Sequence, residues 1–483
     1  MTDEVLDVLI VGAGLSGIGA ACHLKRLCPG KKFALIEARD DIGGTWDLFR
    51  YPGIRSDSDM YTLGFSFRPW SGEHAIASGQ SILDYLRDTA REEGVEAAIR
   101  LRQRVRRAAW SSASSQWTVE IERDDGAGYS VRCAFLLMCT GYYDYSEGFS
   151  PTFPGRDRFT GAVIHPQLWP EHFDYSGKRI VVIGSGATAV TLVPELAKTA
   201  AHVTMLQRSP SYVIARPSID RIATWLVRVL PLGWAHGIAR WKNLLFQKYF
   251  FGLCRRRPER AKQWLLDLVR KELGPDFDVD THFTPSYNPW QQRLCLVPDG
   301  DLFTAIRERR ASVVTAKIDS FTEKGIALAN GVELPADVIV TATGLKMKIL
   351  TGVELLVDGR ALQSSELVSY KGLMFSGVPN FASVFGYFNA SWTLKADLAS
   401  LFVCRLLNYM ERSGTRRCVP PVADASMELE PWGDFSSGYI QRAAAQLPRQ
   451  GTRKPWKLNQ NYIDDLLVLR FGAVSDGVLR FSV

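Results

Sequence analysis

Short apolar runs, separated by glycine-rich turns and small-residue helical segments, dominate the hydrophobic pattern near the start of the chain. Residues 7–12 read DVLIVG, a run typical of a buried parallel strand. The segment IGAACHL has a small-residue helical pattern, and FALIE, which ends at Glu37, predicts the next strand. The order of strand, turn, helix and strand predicts a Rossmann-like α/β unit.

The same pattern recurs later in the chain. RIVVIGSGATA at 179–189 predicts a strand, a turn and a helix start, and HVTMLQRSPS begins with another strand. Each unit has a later apolar strand that ends in Thr-Gly, at Gly141 and at Gly344. The repeat predicts an α/β protein with two Rossmann-like domains, the second nested in the first. The expected domains are 1–170, then 171–345 with a helical insertion at about 218–290, and a return to the first domain over 346–483.

The composition of the chain mainly excludes other classes of protein. Of the 483 residues 23% are charged and 46% hydrophobic, values ordinary for a globular chain. Eight cysteines without a CxxC pair favour reduced thiols and a cytoplasmic location. An acidic N-terminus before a short apolar run differs from a signal peptide, and no apolar run reaches the roughly 18 residues of a membrane span. No metal site is predicted.

The first glycine-rich turn has the pattern that binds a dinucleotide. Gly12, Gly14 and Gly17 form GxGxxG, with Ser16 at the helix start. The glycines allow a tight turn, backbone approach to a pyrophosphate and close packing of helix on strand. Glu37 follows Gly17 by 20 residues and can accept hydrogen bonds from a ribose. This half therefore predicts an FAD site.

The second turn has the related pattern GxGxxA, and the residues expected to contact its cofactor are Gly184, Gly186, Ala187, Thr188, Thr343 and Gly344. After the next strand, Gln207 replaces the acid and is followed by Arg208 and Ser209. A carboxylate there would repel a 2′-phosphate, whereas a guanidinium beside a hydroxyl would bind one. The second half therefore predicts an NADPH site, with a plain surface role for Arg208 as the alternative.

Two longer motifs narrow the family. The linker FTGAVIHPQLWP contains Phe159, Gly161, His165 and Trp169, followed by proline. It resembles the fingerprint of type I Baeyer–Villiger monooxygenases, which are class B flavoprotein monooxygenases. GGTWDLFRYPGIRSD at 43–57 resembles the N-terminal motif of the same family. Phrases such as YNPWQQRLCLVPDGDLF are similar to the mycobacterial ethionamide-activating branch.

The resemblance implies an activity and roles for single residues. It implies an NADPH-consuming monooxygenase that uses a peroxyflavin to insert one atom of O₂ into a lipophilic ketone, giving an ester or lactone, or to oxidise sulfur. Arg293 matches the family's catalytic arginine, a permanent positive charge suited to an anionic peroxide. Asp57 matches the acid that orients it. Gln292 stands where much of the family has lysine, which leaves more of the phosphate contact to Arg208.

Further contacts follow from the same motifs. Gly44, Trp46, Asp57 and Tyr61 are expected to contact FAD. Asn389 begins NASWTLKADL, which predicts a helix whose N-terminus faces either the flavin or ordinary solvent. His165 is expected to have a structural role in the linker, not a catalytic one.

Other functions stay open at this stage. A flavin-containing monooxygenase acting on sulfur compounds or long-chain alkanes is the nearest alternative. A pyridine-nucleotide disulfide reductase needs a cysteine pair near the flavin, and residues 41–57 contain no cysteine. A non-catalytic flavoprotein would be expected to have lost its fingerprints or Arg293, and this chain retains both.

The positive charge is concentrated in one segment. Residues 221–274 contain 12 Lys and Arg but 3 Asp and Glu, whereas the whole chain has a net charge of +7. Because the rest of the chain is nearly neutral, no nucleic-acid partner is predicted. The segment is either a set of helices packed on the second domain that steers an anionic cofactor, or a peripheral contact with a membrane surface.

Overall fold

The protein is described by a computed structural model that covers residues 4–424, 426–433 and 438–483. Its largest sheet is mixed, and the strand Val5–Val11 pairs in parallel with Phe33–Ile36 on one side and Gly128–Met138 on the other. Residues 8–11 of this strand are at most 6% exposed, so both faces are covered, as the apolar run predicts. In spatial order the strands are Arg360–Ala361, Glu354–Val357, Gln103–Ser111, Gln116–Arg123, Gly128–Met138, Val5–Val11, Phe33–Ile36 and Ile99–Arg100, with Phe381–Ser383 also pairing with Gly128–Met138.

The core of this half lies on both faces of the sheet. Val8 and Ile10 point to the side covered by helices Leu15–Leu27 and Trp392–Ser413. Leu9 and Val11 point to the opposite side, where they pack with residues of the antiparallel strands. The alternation follows from the two-residue period of a strand.

The second sheet is parallel throughout. In spatial order its strands are Ala311–Thr315, His202–Gln207, Arg179–Ile183, Val338–Thr341 and Ala162–Ile164. Each half thus has a Rossmann-like sheet, and the predicted α/β fold class is confirmed. Residues 354–383 return to the first sheet, whereas the linker strand Ala162–Ile164 joins the second sheet. The exact domain boundaries stay a prediction.

A group of helices is inserted between the second-sheet strands His202–Gln207 and Ala311–Thr315. The first of them begins after Asp220, whose side chain accepts a hydrogen bond from the Ala223 N–H at 3.1 Å. The α-helices of the described residues are Leu15–Leu27, Thr45–Leu48, Met60–Leu63, Gly79–Glu92, Ala187–Leu196, Arg221–Val229, Leu232–Arg256, Pro258–Leu273, Val279–Phe283, Asp301–Arg307, Trp392–Ser413, Gly438–Ala443 and Tyr462–Asp465.

Smaller sheets complete the fold. Val213–Arg216 pairs in parallel with Cys295–Pro298 beside the insertion. The remaining strands form antiparallel pairs and one three-stranded sheet: Ile318–Thr322, Gly325–Leu328 and Glu333–Pro335; Tyr143–Gly148 and Leu345–Met347; Ser369–Tyr370 and Met374–Phe375; Arg417–Val419 and Arg480–Ser482; Leu429–Pro431 and Arg449–Gly451. Across the described ranges, no helix combines the length and apolar character needed to cross a bilayer.

Candidate active site

The first glycine-rich turn joins the strand Val5–Val11 to the helix Leu15–Leu27. A Cβ atom on Gly17 would lie 1.8 Å from the carbonyl oxygen of Gly12, so no larger residue fits there. Gly14 is the N-cap of the helix and has no side chain to bond the first N–H groups. These N–H groups therefore remain available to a phosphate, as the sequence predicts.

Glu37 lies at the edge of this turn. Its Oε2 atom accepts a hydrogen bond from the Ala13 N–H at 2.8 Å, and its Oε1 atom accepts one from the Arg39 N–H at 2.9 Å. Burial raises the pKa of Glu37 although these bonds oppose the shift. The carboxylate is held where a ribose hydroxyl on the turn could donate to it.

The 43–57 loop lies against the first turn. A Cβ atom on Gly44 would lie 3.0 Å from the Cα atom of Gly14, so the two backbones touch. Trp46 is half-buried against the same core. Ser16 is buried, and its Oγ atom accepts a hydrogen bond from Nε1 of Trp392 at 2.8 Å. This hydrogen bond connects the turn to the start of the helix Trp392–Ser413.

The second turn has the same build. A Cβ atom on Gly184 would lie 2.3 Å from the carbonyl oxygen of Ala342, at the end of a neighbouring strand. Gly186 precedes the helix Ala187–Leu196, and a Cβ atom there would meet nothing within 4 Å. Ala187 is exposed and Thr188 is half-buried. The front of the turn is therefore open, as a phosphate site requires.

Gln207, which stands where an acid was expected in an NAD site, also has a structural role. Its side chain is buried, and its Nε2 atom donates to the carbonyl of His282 at 2.7 Å and to Oγ1 of Thr315 at 2.9 Å. It therefore ties the helical insertion to the second sheet, a role that the sequence did not reveal. Arg208 and Ser209, which follow it, are exposed.

Arg293 and Asp57 meet at the junction of the two halves. The Nη1 atom of Arg293 donates to Oδ2 of Asp57 at 2.8 Å, and the side chains are 36% and 48% exposed. Desolvation, the largest single effect, would lower the pKa of Arg293, but Asp57 and the neighbouring tyrosines together outweigh it and raise this pKa well above its ordinary value. The structure brings together the two residues that the sequence predicts as catalytic.

Two tyrosines that the sequence analysis did not single out adjoin this pair. The hydroxyls of Tyr142 and Tyr143 lie 2.6 Å apart, and burial raises the pKa of both phenols, although the nearby charge of Arg293 opposes it. Tyr142 stacks on Trp392, with ring centroids 5.1 Å apart. Their signal was available, because they directly follow the strand end at Gly141.

The ion pair is linked to both glycine-rich turns. On one side, Tyr142 stacks on Trp392, which donates to Ser16 in the first turn. On the other side, Cys295 lies two residues after Arg293, and its Sγ atom lies 3.7 Å from the carbonyl oxygen of Ser185 in the second turn. The turns and the ion pair therefore form one contiguous region.

The fingerprint residues connect the halves. The Nε2 atom of His165 lies 3.1 Å from the carbonyl oxygen of Gly344, and its Nδ1 atom accepts from the Gln167 N–H at 3.2 Å. Both ring nitrogens thus bond to backbone, in a neutral ring with the proton on Nε2, and burial lowers the pKa of His165. A Cβ atom on Gly148 would overlap this ring, at 1.9 Å from Cε1.

The other fingerprint residues pack against neighbouring aromatic rings and against the second sheet. Phe159 is buried, with its ring centroid 6.3 Å from that of Phe321, and Trp169 contacts Phe173 and Tyr175 edge to face. A Cβ atom on Gly161 would lie 2.4 Å from a carbonyl oxygen of Asp337, so the linker packs tightly on the second sheet.

Three of the side chains predicted to contact a cofactor contact other parts of the protein, two by hydrogen bonds and one by ring packing. Thr343 donates from Oγ1 to the carbonyl of Phe149 at 2.6 Å. Asn389 donates to the carbonyl of Gln460 at 2.9 Å, before the helix Trp392–Ser413 begins. Tyr61 is buried against the insertion, with its ring 5.8 Å from that of His236. Direct contact of these side chains with a cofactor stays a prediction.

A second ion pair crosses the junction and was not predicted. Arg55 donates through Nη1 and Nη2 to the carboxylate of Asp301, the latter at 3.4 Å. Arg55 precedes Asp57 by two residues, so this bridge holds the loop that carries Asp57. Pairing of residues so distant along the chain leaves no local pattern to find.

Comparisons with known proteins show the family and the fold of the chain. Residues 6–349 match the flavin-binding monooxygenase-like family. The FAD-containing monooxygenase EthA of Mycobacterium tuberculosis is 52% identical over 480 residues, which cover 99% of this chain and 98% of that protein. The putative FAD-containing monooxygenase MymA of the same organism is 48% identical over 486 residues, covering 99% and 98%. An oxidised steroid monooxygenase bound to NADP has the same fold, with a TM-score of 0.76 at 23% identity and 99% coverage of both chains.

These comparisons confirm the resemblance to class B flavoprotein monooxygenases that the sequence motifs indicate. The chain belongs to the flavin-binding monooxygenase-like family.

Proposed function

We propose that this protein is an FAD- and NADPH-dependent monooxygenase of the Baeyer–Villiger type. It inserts one atom of O₂ next to the carbonyl of a small lipophilic ketone, giving an ester or lactone, and can oxidise a soft sulfur in the same site. A peripheral contact of segment 221–274 with a membrane surface is a separate proposal, which does not depend on this chemistry. The single observation that carries the chemistry is the ion pair between Arg293 and Asp57 at the junction of the two glycine-rich halves.

The ion pair supports oxygen transfer through its charge. The bound flavin supplies the activated oxygen, and Arg293 supplies a positive charge that does not lose its proton at neutral pH. Asp57 fixes the guanidinium by a hydrogen bond, so that the charge is in place before negative charge develops. The protonated phenols of Tyr142 and Tyr143 adjoin this charge and can donate to an oxygen of the substrate.

The residues present fit FAD in the first half. The helix after Gly14 has no acidic residue in its first turn, so its N-terminus favours a pyrophosphate. Glu37 is held beside it by two backbone N–H groups and keeps lone pairs for a ribose. These observations support the assignment of the adenosine end of FAD to this turn.

The second half fits NADPH. The open front of the turn at Gly186 has room for a pyrophosphate, and the helix after it has no acid in its first turn. Gln207 directs its amide inward, so that no side-chain carboxylate at this strand end opposes a 2′-phosphate. Arg208 is exposed next to it and can bind that phosphate through two nitrogens.

Product identification tests the chemistry. Purified protein loaded with FAD is incubated with NADPH, O₂ and a panel of linear ketones, cyclic ketones and thioethers, and the products are identified by mass. Esters or lactones are expected from ketones and sulfoxides from thioethers. Consumption of NADPH that yields only hydrogen peroxide with every member of the panel would contradict the proposal.

Coenzyme preference tests the second site. Arg208→Ala should raise KM for NADPH about ten- to a hundredfold and leave KM for NADH nearly unchanged. Lys324→Ala, which removes an exposed positive charge elsewhere in the second half, is the matched control and should change neither value. Equal use of NADH and NADPH by the unaltered protein would overturn the assignment.

A further inference from the structure

The long helix Leu232–Arg256 of the insertion buries polar side chains against the protein, together with small and apolar ones. His236, Arg240 and Asn243 are buried. Arg240 donates from Nη1 to the carbonyls of Tyr61 at 2.9 Å and Gly64 at 2.8 Å. Asn243 and Gln247 donate to the two carboxylate oxygens of Asp59, at 2.9 Å and 3.2 Å. Most helices on a globular protein bury their apolar side instead.

The apolar side of the same helix is exposed. Trp234 is 73% exposed and Tyr249 is 70% exposed. The exposed residues on this side are Trp234, Ile238, Trp241, Leu245 and Tyr249. At about 100° per residue, this stripe lies about 180° from the stripe of buried polar residues. The buried hydrogen bonds help to fix this orientation, which leaves aromatic and aliphatic side chains in water.

A shallow groove runs along this side. It has a volume of about 660 Å³ and is lined by Gly233, Trp234, Gly237, Ile238, Trp241 and Lys242. Glycine inside a helix typically costs about 1 kcal/mol relative to alanine. A Cβ atom on Gly233 or Gly237 would meet nothing within 4 Å, so packing within the chain does not require either glycine. Their effect is to leave the groove open between apolar side chains.

The neighbouring helix extends this apolar surface. In Arg221–Val229, Ala223 and Leu226 are buried, whereas Trp225 is 59% exposed and its neighbours Ile222 and Val229 are exposed too. Among the residues that the structure describes, 12 of the 20 exposed large hydrophobic side chains lie between positions 222 and 264. Such a concentration marks an interaction surface and not scattered exposure.

Positive charge surrounds this surface. Segment 221–274 has a net charge of +9, with 12 basic and 3 acidic residues. Arg221, Arg228, Lys248, Arg256 and Arg257 are exposed beside the apolar stripe. Two copies of so positive a face repel each other, whereas anionic lipid headgroups attract it. Tryptophan, tyrosine and basic side chains together are the composition that favours the boundary between headgroups and acyl chains.

We propose that the apolar side of helices Arg221–Val229 and Leu232–Arg256 inserts into the headgroup region of an anionic bilayer. The tryptophans and aliphatic side chains enter the acyl boundary, and the basic side chains contact lipid phosphates. The buried side of the long helix holds Asp59 and Tyr61, which follow Asp57 of the candidate site. A lipophilic substrate would leave the bilayer next to this site, and this last step alone rests on the proposed function.

Vesicle flotation of the full-length protein tests the insertion. Vesicles of phosphatidylcholine alone are compared with vesicles that contain one third phosphatidylglycerol, at low and high salt. The protein is expected to float with the anionic vesicles and to bind more weakly at high salt. The double variant Trp225→Gln with Trp234→Gln should bind about tenfold or more weakly, because it removes the inserted apolar area.

A control variant changes exposed apolar residues elsewhere on the protein. Val422→Gln with Phe471→Gln, which changes exposed apolar residues outside the insertion, should float like the unaltered protein. Thermal unfolding checks that each variant is folded. Failure of the unaltered protein to float, or undiminished flotation of the double tryptophan variant, would overturn the proposal. So would sedimentation velocity that shows an oligomer which the same variant dissociates. Because flotation needs no turnover, its result is independent of the oxygenation chemistry.

Discussion

Replacing Arg293 by alanine should stop product formation but leave reduction of the bound flavin by NADPH largely intact. Hydride transfer depends on the stacking of two rings, whereas oxygen transfer depends on a fixed positive charge where negative charge develops. Losing one preorganised partner of this kind typically lowers a rate by about 10²–10³-fold. We expect a loss in this range for ester or sulfoxide formation.

Asp57→Ala should slow the same step less, and the structure sets the scale. Unit charges about 4 Å apart interact by about 4 kcal/mol at an effective dielectric constant near 20. The side chains of Arg293 and Asp57 are 36% and 48% exposed, so solvent screening reduces this to about 1 kcal/mol. That corresponds to about a fivefold loss. Because Asp57 acts through the arginine, the double variant should be no slower than Arg293→Ala.

Rapid mixing separates the two half-reactions. Anaerobic loss of flavin absorbance after mixing with NADPH reports reduction, and product analysis in the presence of O₂ reports oxygen transfer. Arg106→Ala, which removes an exposed pair with Glu122, is the control and should affect neither. Product formation by Arg293→Ala at nearly the original rate would refute the reasoning. A double variant that combines both losses multiplicatively would show that Asp57 does not act through Arg293.

Three further outcomes are expected. Gln207→Glu should lower the midpoint of thermal unfolding and speed proteolysis of the insertion, because a carboxylate cannot donate to the carbonyl of His282. An unchanged midpoint would contradict this. Gly17→Ala should yield protein without bound flavin, since its Cβ atom would overlap the preceding turn, and full flavin absorbance would be the opposite result. Burial, followed by the charge of Arg240, lowers the pKa of His236 to about 4, from 6.5. As the pH falls from 6.5 toward 4, the unfolded chain binds a proton that the folded protein does not, so the free energy of unfolding should decrease by roughly 3 kcal/mol, and His236→Gln should lose this slope in denaturant titrations at each pH.

The sequence was sufficient where structure depends on near neighbours. The turns at Gly17 and Gly184 follow apolar strands, and their steric demands come from atoms of the same Rossmann-like unit. Glu37 directly follows the second strand, so its place beside the first turn follows from strand order. The family motif located Arg293 and Asp57, whose contact no local pattern could predict.

The rest depended on contacts between distant segments. The packing of the Tyr61 ring against His236 of the insertion could not be predicted from either local sequence. The inward amide of Gln207 depends on where His282 lies, 75 positions later in the chain. Hydrophobic periodicity also could not show which side of the helix Leu232–Arg256 faces the protein. Buried polar contacts such as that of Arg240 decide it, and they appear only after folding.

The ion pair between Arg293 and Asp57 has one member from each half of the protein. Its geometry therefore depends on the relative orientation of the two halves. A small rotation at the linker would separate the two charges without altering either nucleotide turn. In that geometry we expect activated oxygen to be released as hydrogen peroxide instead of being transferred to the substrate. The yield of product per NADPH consumed should therefore respond to substitutions of His165, which contacts Gly344, and of Arg55, which pairs with Asp301.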